Sequence, residues 1–168
     1  MHIAIDARII SSTTGRYVER LLTYLQDIDQ KNQYTVLVRE KDRNYWKPKH
    51  DNFKVVVADF ADFSFAEQLG YNRLLNKLGA DLVHFGIVQQ PVRYRGKKVT
   101  TFHDLTPLKT WNSDKNWLMY HFKQFVGKFV FRDVAHTSDQ LIAISEFTKK
   151  ELVEFTHVPE DKVTVTYA

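Results

Sequence analysis

The chain has 168 residues, 43% hydrophobic and 26% charged, with 24 Lys and Arg against 20 Asp and Glu for a formal net charge of +4. That length and apolar fraction suit one hydrophobic core, and the mild, dispersed charge lacks the concentrated basic footprint of a nucleic-acid-binding protein, so nucleic acid is not an expected partner. With no cysteine there is no disulfide framework and no thiolate metal site, and the histidines lack the close spacing of a zinc motif. No charged-then-apolar leader opens the sequence and no apolar run reaches about 18 residues. The resulting expectation is a cytoplasmic protein, at most peripheral at the inner face of a membrane.

In chain order, the apolar run Ile3 to Ile5 predicts a first strand ending near Asp6. A polar loop from Ala7 to Gly15 follows, and then a helix in which Val18, Leu21, Leu22, Leu25 and Ile28 recur at helical spacing. Further β-branched runs predict strands at Tyr34 to Val38, Phe53 to Val57, Asp81 to Phe85, Lys98 to Phe102, Leu141 to Ile144 and Val163 to Tyr167. Helical spacing returns at Leu118, Phe122, Phe125 and Phe129. Strand alternating with helix predicts an α/β, Rossmann-like, doubly wound and mostly parallel sheet of about seven strands with helices on both faces. No internal repeat, low-complexity tract or proline-rich linker interrupts it.

In such sheets ligands bind beyond the carboxyl ends of the strands, so the residues at strand exits carry the information. Gly15 precedes a helix, where a glycine permits close backbone approach and free N–H groups favour an anion. It is equally compatible with a plain turn, because the loop is neither G-x-G-x-x-G nor a lysine-bearing phosphate loop. His84 ends the strand of "ADLVHFG", His103 and Asp104 end that of "VTTFHDLTPL", and Ser145 opens the helix after "QLIAIS". Each has a structural alternative: a helix N-cap for Ser145, a turn or cap for Asp104, a hydrogen bond to a backbone carbonyl for the histidines. Together they place polar groups along one sheet edge, His84 and Ser145 lining the cleft there.

The aromatic segment "WNSDKNWLMYHFKQFVGKFVFR" carries two apolar sets. Leu118, Phe122, Phe125, Val126 and Phe129 form a stripe expected to face the core. Trp117, Tyr120 and Phe131, with Lys123, Lys128 and Arg132 nearby, fall on the other side. That side suits an acceptor groove, a membrane surface, or packing against another domain or helix.

The segments "IAIDARIISSTTGRYVERLL", "ADLVHF" followed by Pro91, "TFHDLTPL" and "LIAISEFTKKELVEFTHVPEDKVTVTY" resemble, in order and spacing, the amino-terminal half of family 4 glycosyltransferases, which have the two-domain GT-B fold. The resemblance runs along nearly the whole chain. It implies that residues 1–168 are the acceptor-side domain, with the donor-binding carboxyl-terminal domain and its paired glutamates beyond Ala168. The implied reaction is transfer of a hexose from a nucleotide-sugar to a hydroxyl of a glycan, lipid-linked or polysaccharide precursor. It would be metal-independent and retaining, and the chain would be inactive alone.

The resemblance further implies that Gly15 lies in the loop near the donor phosphates, with Arg16 beside it as an anion contact or a solvated charge. His103 falls near the transferred sugar and Asp104 orients its loop rather than acting as a base; these two are the implied catalytic pair. Ser145 matches the serine at the strand-helix junction lining the cleft. Related loops carry extra glycines where this one has Ser12, Thr13 and Thr14, which leaves donor choice open. Other readings of the same sequence are a non-catalytic acceptor- or partner-binding module, one subunit of a split transferase, or an unrelated doubly wound domain for another phosphate ligand.

Overall fold

A computed structural model describes residues 1–61, 64–108 and 117–167, with the backbone alone for Pro107, 117–120, 122 and 123. The strands are β1 (His2–Asp6), β2 (Gln33–Val38), β3 (Phe53–Val57), β4 (Leu82–Phe85), β5 (Lys98–Phe102), β6 (Gln140–Ala143) and β7 (Val163–Val165). Between them run α1 (Arg16–Ile28), α2 (Asn72–Leu78, entered through a π-helical turn at Glu67–Tyr71), α3 (Trp117–Thr137) and α4 (Glu146–Thr156). The strands form one sheet in the order β3-β2-β1-β4-β5-β6-β7, every pairing parallel. All seven expected strands are present; the last ends at Val165, earlier than expected, because the chain leaves the sheet after β7 pairs with β6.

The chain winds outward from β1 through β2 to β3, returns, and places β4 on the other side of β1. That reversal leaves a crevice at the carboxyl ends of β1 and β4. Right-handed crossovers then force the helices of the two halves onto opposite faces. α1 buries Val18 and Leu22 against Ile5, Tyr34, Val36 and Val38. On the far face Leu75 of α2 packs with Ala4, Leu37, Val83 and Phe85, while Val134, Ala135 and Leu152 of α3 and α4 pack with Phe102, Leu141 and Ala143. Fully buried Leu, Val and Phe side chains of this kind each contribute roughly 1.5–3 kcal/mol by leaving water.

The orientation of α3 reverses the expectation from its sequence. Phe125 and Phe129, assigned to the core, are 71% and 60% exposed. Phe131, assigned to the outer face, packs edge-on against the core residue Phe102, with ring centroids 5.7 Å apart. The physical reason is that this helix is apolar around much of its circumference, so the position of its neighbours decides which side is covered. Gly127, Val134 and Ala135 let it approach the sheet side, where a Cβ on Gly127 would sit 3.4 Å from Leu108. The side chains of Trp117, Leu118, Tyr120, Phe122 and Lys123 lie outside the described residues.

Candidate functional site

A groove of about 470 Å³ opens at the carboxyl edge of the sheet, on the α1 side. Its walls come from three strand exits: Thr13, Thr14, Arg16, Tyr17 and Arg20 after β1, His103 and Asp104 after β5, and Ile144 after β6. Residues far apart in sequence thus meet because parallel strands deliver every exit loop to the same rim.

His103 is the most constrained polar group in this groove. Its Nε2 lies 2.8 Å from the Gly86 carbonyl oxygen. A carbonyl can only accept, so Nε2 carries the proton and the neutral ring presents its lone pair at Nδ1. Burial lowers its pKa from 6.5, against smaller opposing effects of the Gly86 bond and the Asp104 charge, which keeps the ring neutral near pH 7. The Tyr17 ring meets it edge-on at 5.4 Å, and Thr148 donates its hydroxyl to the His103 carbonyl at 3.0 Å. Gly86 itself has no room for a side chain: a Cβ there would lie 2.5 Å from Val18 Cγ2.

The other expected residues separate into groove and support. Arg16 is exposed in the groove wall, at the start of α1. Asp104 is exposed there too, and its Oδ1 accepts the Thr106 N–H at 3.0 Å, closing the turn after β5. Gly15 is buried beneath the groove with φ −65°, so no left-handed backbone requires it. Its N–H is bonded at 3.0 Å to both the carbonyl and the hydroxyl of Ser12. A Cβ would collide with the Ile9 carbonyl oxygen and lie 2.6 Å from that of Ile10. The close approach that demands glycine is therefore to the loop's own backbone.

His84 points into the α1 side of the sheet, with Nε2 2.9 Å from Thr101 Oγ1, and that hydroxyl donates to Tyr17 at 3.3 Å. Burial lowers its pKa from 6.5 to about 4. Ser145 caps α4: its Oγ accepts the Thr148 N–H at 3.1 Å, the structural alternative weighed from sequence. Lys128 borders a separate groove with Leu105, Leu108, Glu151, Glu154 and Phe155.

Sequence reasoning passed over Tyr17, Gly86 and Arg8. Tyr17 had a signal, since it falls in the first turn of α1 beside the strand exit; Gly86 and Arg8 depend on distant partners. Arg8 is 3% exposed, donates at 3.0 Å to Asp6 and at 2.9 Å to Glu67, and lies 4.1 Å over the Tyr71 ring. It ties the loop after β1 to the π-helical turn on the α2 side of the sheet. Among the described residues, no group of three or more His, Asp or Glu side chains is placed to hold a metal ion.

A family model, Glycosyltransferase Family 4, matches residues 14–168. Among solved structures the chain is similar to HepE from Anabaena, determined in complex with UDP and glucose, with a TM-score of 0.58 and 13% identity over 99% of this chain and 44% of HepE. It is also matched to the PbgP3 protein from Burkholderia pseudomallei, with a TM-score of 0.45 and 11% identity over 84% of this chain and 52% of that one. The chain thus spans less than half the length of HepE. No curated protein matches it in sequence.

Proposed function

Because the chain belongs to Glycosyltransferase Family 4, we propose that it forms the amino-terminal, acceptor-side half of an enzyme that transfers a hexose from a nucleotide-sugar to a hydroxyl acceptor. The observation that carries this reading is the groove itself. It joins a neutral histidine whose Nδ1 is an acceptor to two arginines at the start of a helix, on the crevice edge of the sheet. That combination matches a ligand with sugar hydroxyls at one end and a diphosphate at the other.

In this mechanism Nδ1 of His103 accepts a hydrogen bond from a hydroxyl of the transferred sugar and fixes its orientation. Arg16 and Arg20, with the positive end of α1, neutralise charge that builds on the departing diphosphate. Asp104 holds the His103 loop through its Thr106 bond and takes no proton. Transfer proceeds with retention, without a metal, and to a carbohydrate or lipid-linked acceptor. The chain alone, less than half the length of HepE, neither turns over nor binds the donor tightly, since the partner half supplies most donor contacts.

UDP-glucose is the first donor to assay, because UDP and glucose occupy HepE. The test is transfer of labelled glucose by the full gene product, with and without chelator, against the 168-residue chain. His103→Ala in the active form is expected to lower kcat by about 10² with a smaller change in KM, as for loss of a group acting mainly in the transition state. Unchanged kinetics in that variant, or steady turnover by the 168-residue chain, overturns the reading.

A further inference from the structure

The exit of β5 is held to α4 by two hydroxyls whose proton directions the structure fixes. The His103 carbonyl can only accept, so the Thr148 hydroxyl donates to it, at 3.0 Å. Thr148 Oγ1 has then given its proton, and its 3.0 Å contact with Ser145 Oγ is a bond donated by Ser145. The Ser145 oxygen in turn accepts the Thr148 N–H at 3.1 Å. Ser145 therefore directs its proton inward and has none to give a ligand in the groove. The local sequence explains the arrangement. Ser145 is the N-cap of α4, and Thr148 stands three residues on, where a capping box carries a Glu or Gln whose side chain reaches back to the cap. A threonine there holds the cap oxygen through its N–H and sends its hydroxyl outward to the neighbouring strand exit.

We propose that Thr148, aimed by Ser145, is a positioning residue for His103: it pins the backbone of the histidine so that the imidazole keeps one place in the groove. The ring is held at Nε2 by the Gly86 carbonyl at 2.8 Å and walled by Tyr17 at 5.4 Å, and both of these act on the side chain alone. The backbone ladder between β5 and β6 closes one residue earlier, with the 3.3 Å bond from the Ile144 N–H to the Phe102 carbonyl. Beyond it the Thr148 hydroxyl joins the two exits. Its own support is firm, because Thr148 is 4% exposed and Leu152, one turn further along α4, is buried with Phe102, Leu141 and Ala143. A misplacement of about 1 Å in a group that orients a reacting sugar can cost on the order of 10²-fold in rate, so a single backbone bond at this point has leverage. The role rests on the reading of His103 as the group that orients the transferred sugar.

Nitrogen NMR of the 168-residue chain tests the hold on the imidazole without any turnover, and the kinetics of the active full gene product test its consequence. Thr148→Val keeps the shape of the side chain and removes the hydroxyl. The His103 ring signals are expected to change from one Nε2–H form to a mixture of the two tautomers, and kcat to fall by about tenfold or more with KM within about twofold. Thr148→Ala removes the same hydroxyl at a helix position that suits alanine, and gives the same result. Thr148→Ser returns the hydroxyl and restores both readouts. Thr156→Val is the control for weakening α4 itself: that threonine is 2% exposed at the other end of the helix, and its hydroxyl donates to the Leu152 carbonyl at 2.6 Å. It is expected to lower the unfolding temperature while the His103 spectrum and kcat stay as in the wild type. An unaltered His103 spectrum in Thr148→Val and Thr148→Ala, unaltered kcat in them where His103→Ala loses activity, no rescue by serine, or an equal loss in the Thr156 control each overturns the proposal. Failure of the transferase reading looks different: kcat is then unchanged in His103→Ala, and the spectrum alone decides whether Thr148 holds the ring.

Discussion

Tyr17 meets His103 edge-on, ring centroids 5.4 Å apart and planes at 83°, while the Tyr17 hydroxyl accepts from Thr101 at 3.3 Å. The tyrosine thus walls one side of the imidazole whose Nε2–H is held by Gly86. Tyr17 is a positioning residue for His103, and the imidazole reports on it directly. In nitrogen NMR the wild type is expected to show His103 as the neutral Nε2–H form, protonating below its ordinary range because of burial. Tyr17→Phe keeps the wall and leaves this signature in place. Tyr17→Leu admits water, mixes the two tautomers and returns the pKa toward the ordinary value. An unaltered His103 spectrum in Tyr17→Leu refutes the role.

Gly15→Ala tests whether the glycine serves the fold or the ligand. The added Cβ collides with the Ile9 and Ile10 carbonyls at a backbone conformation that alanine otherwise accepts. The loop after β1 must therefore shift or the start of α1 must lift, at a cost of about 1–3 kcal/mol, as for overpacked sites. Thermal unfolding of the 168-residue chain is expected to fall by several degrees with no ligand present. A stable variant that only weakens nucleotide-sugar binding would return the glycine to the direct ligand role that the sequence pattern suggested.

The contrast shows what the sequence pattern can and cannot carry. Parallel strands buried on both faces read as continuous runs such as Tyr34 to Val38, so the sheet was legible. The meeting of Arg16, Tyr17 and His103 follows once the strands are parallel, because all exits share one rim. The need for a glycine at position 15 was also legible, but its cause was not: the loop folds back so that Ile9 and Ile10 lie against it, which no local period encodes. The rotation of α3 failed for another reason. Phenylalanines recur at helical spacing on two sides of that helix, and only contact with Phe102 and Leu108 chooses between them.

Arg8 was invisible as a buried group because its partner Glu67 lies 59 residues away. Burial opposes its charge, yet Asp6, Tyr71 and Glu67 more than offset that and keep its pKa raised. Arg8→Met leaves the Asp6 and Glu67 carboxylates buried without their cation, which costs about 3–5 kcal/mol. Denaturant titration checks this. Adding Asp6→Asn and Glu67→Gln to Arg8→Met removes the stranded charges and recovers a large part of the loss; equal stability of the single and triple variants would show that the pairing is not what holds the loop after β1 to the π-helical turn.

His84 makes the stability of the fold depend on acid. Burial lowers its pKa from 6.5 to about 4, with Asp6 pulling weakly the other way. Because the native value is the lower one, the unfolded chain binds more protons between those two values. The stabilisation from a neutral His84 is therefore complete above pH 6.5 and is lost as pH falls toward 4, by at most about 1.4 kcal/mol per pH unit. His84→Gln retains a partner for Thr101 and removes the titration. Between about pH 7 and pH 4.5 the wild type is expected to lose about 2 kcal/mol more than the variant in denaturant titrations. The subtraction cancels the contribution of His103, whose pKa burial also lowers. Parallel pH profiles for the two proteins would mean that the ring protonates without cost in the folded state. Burial behind Tyr17 would then not enforce a neutral histidine.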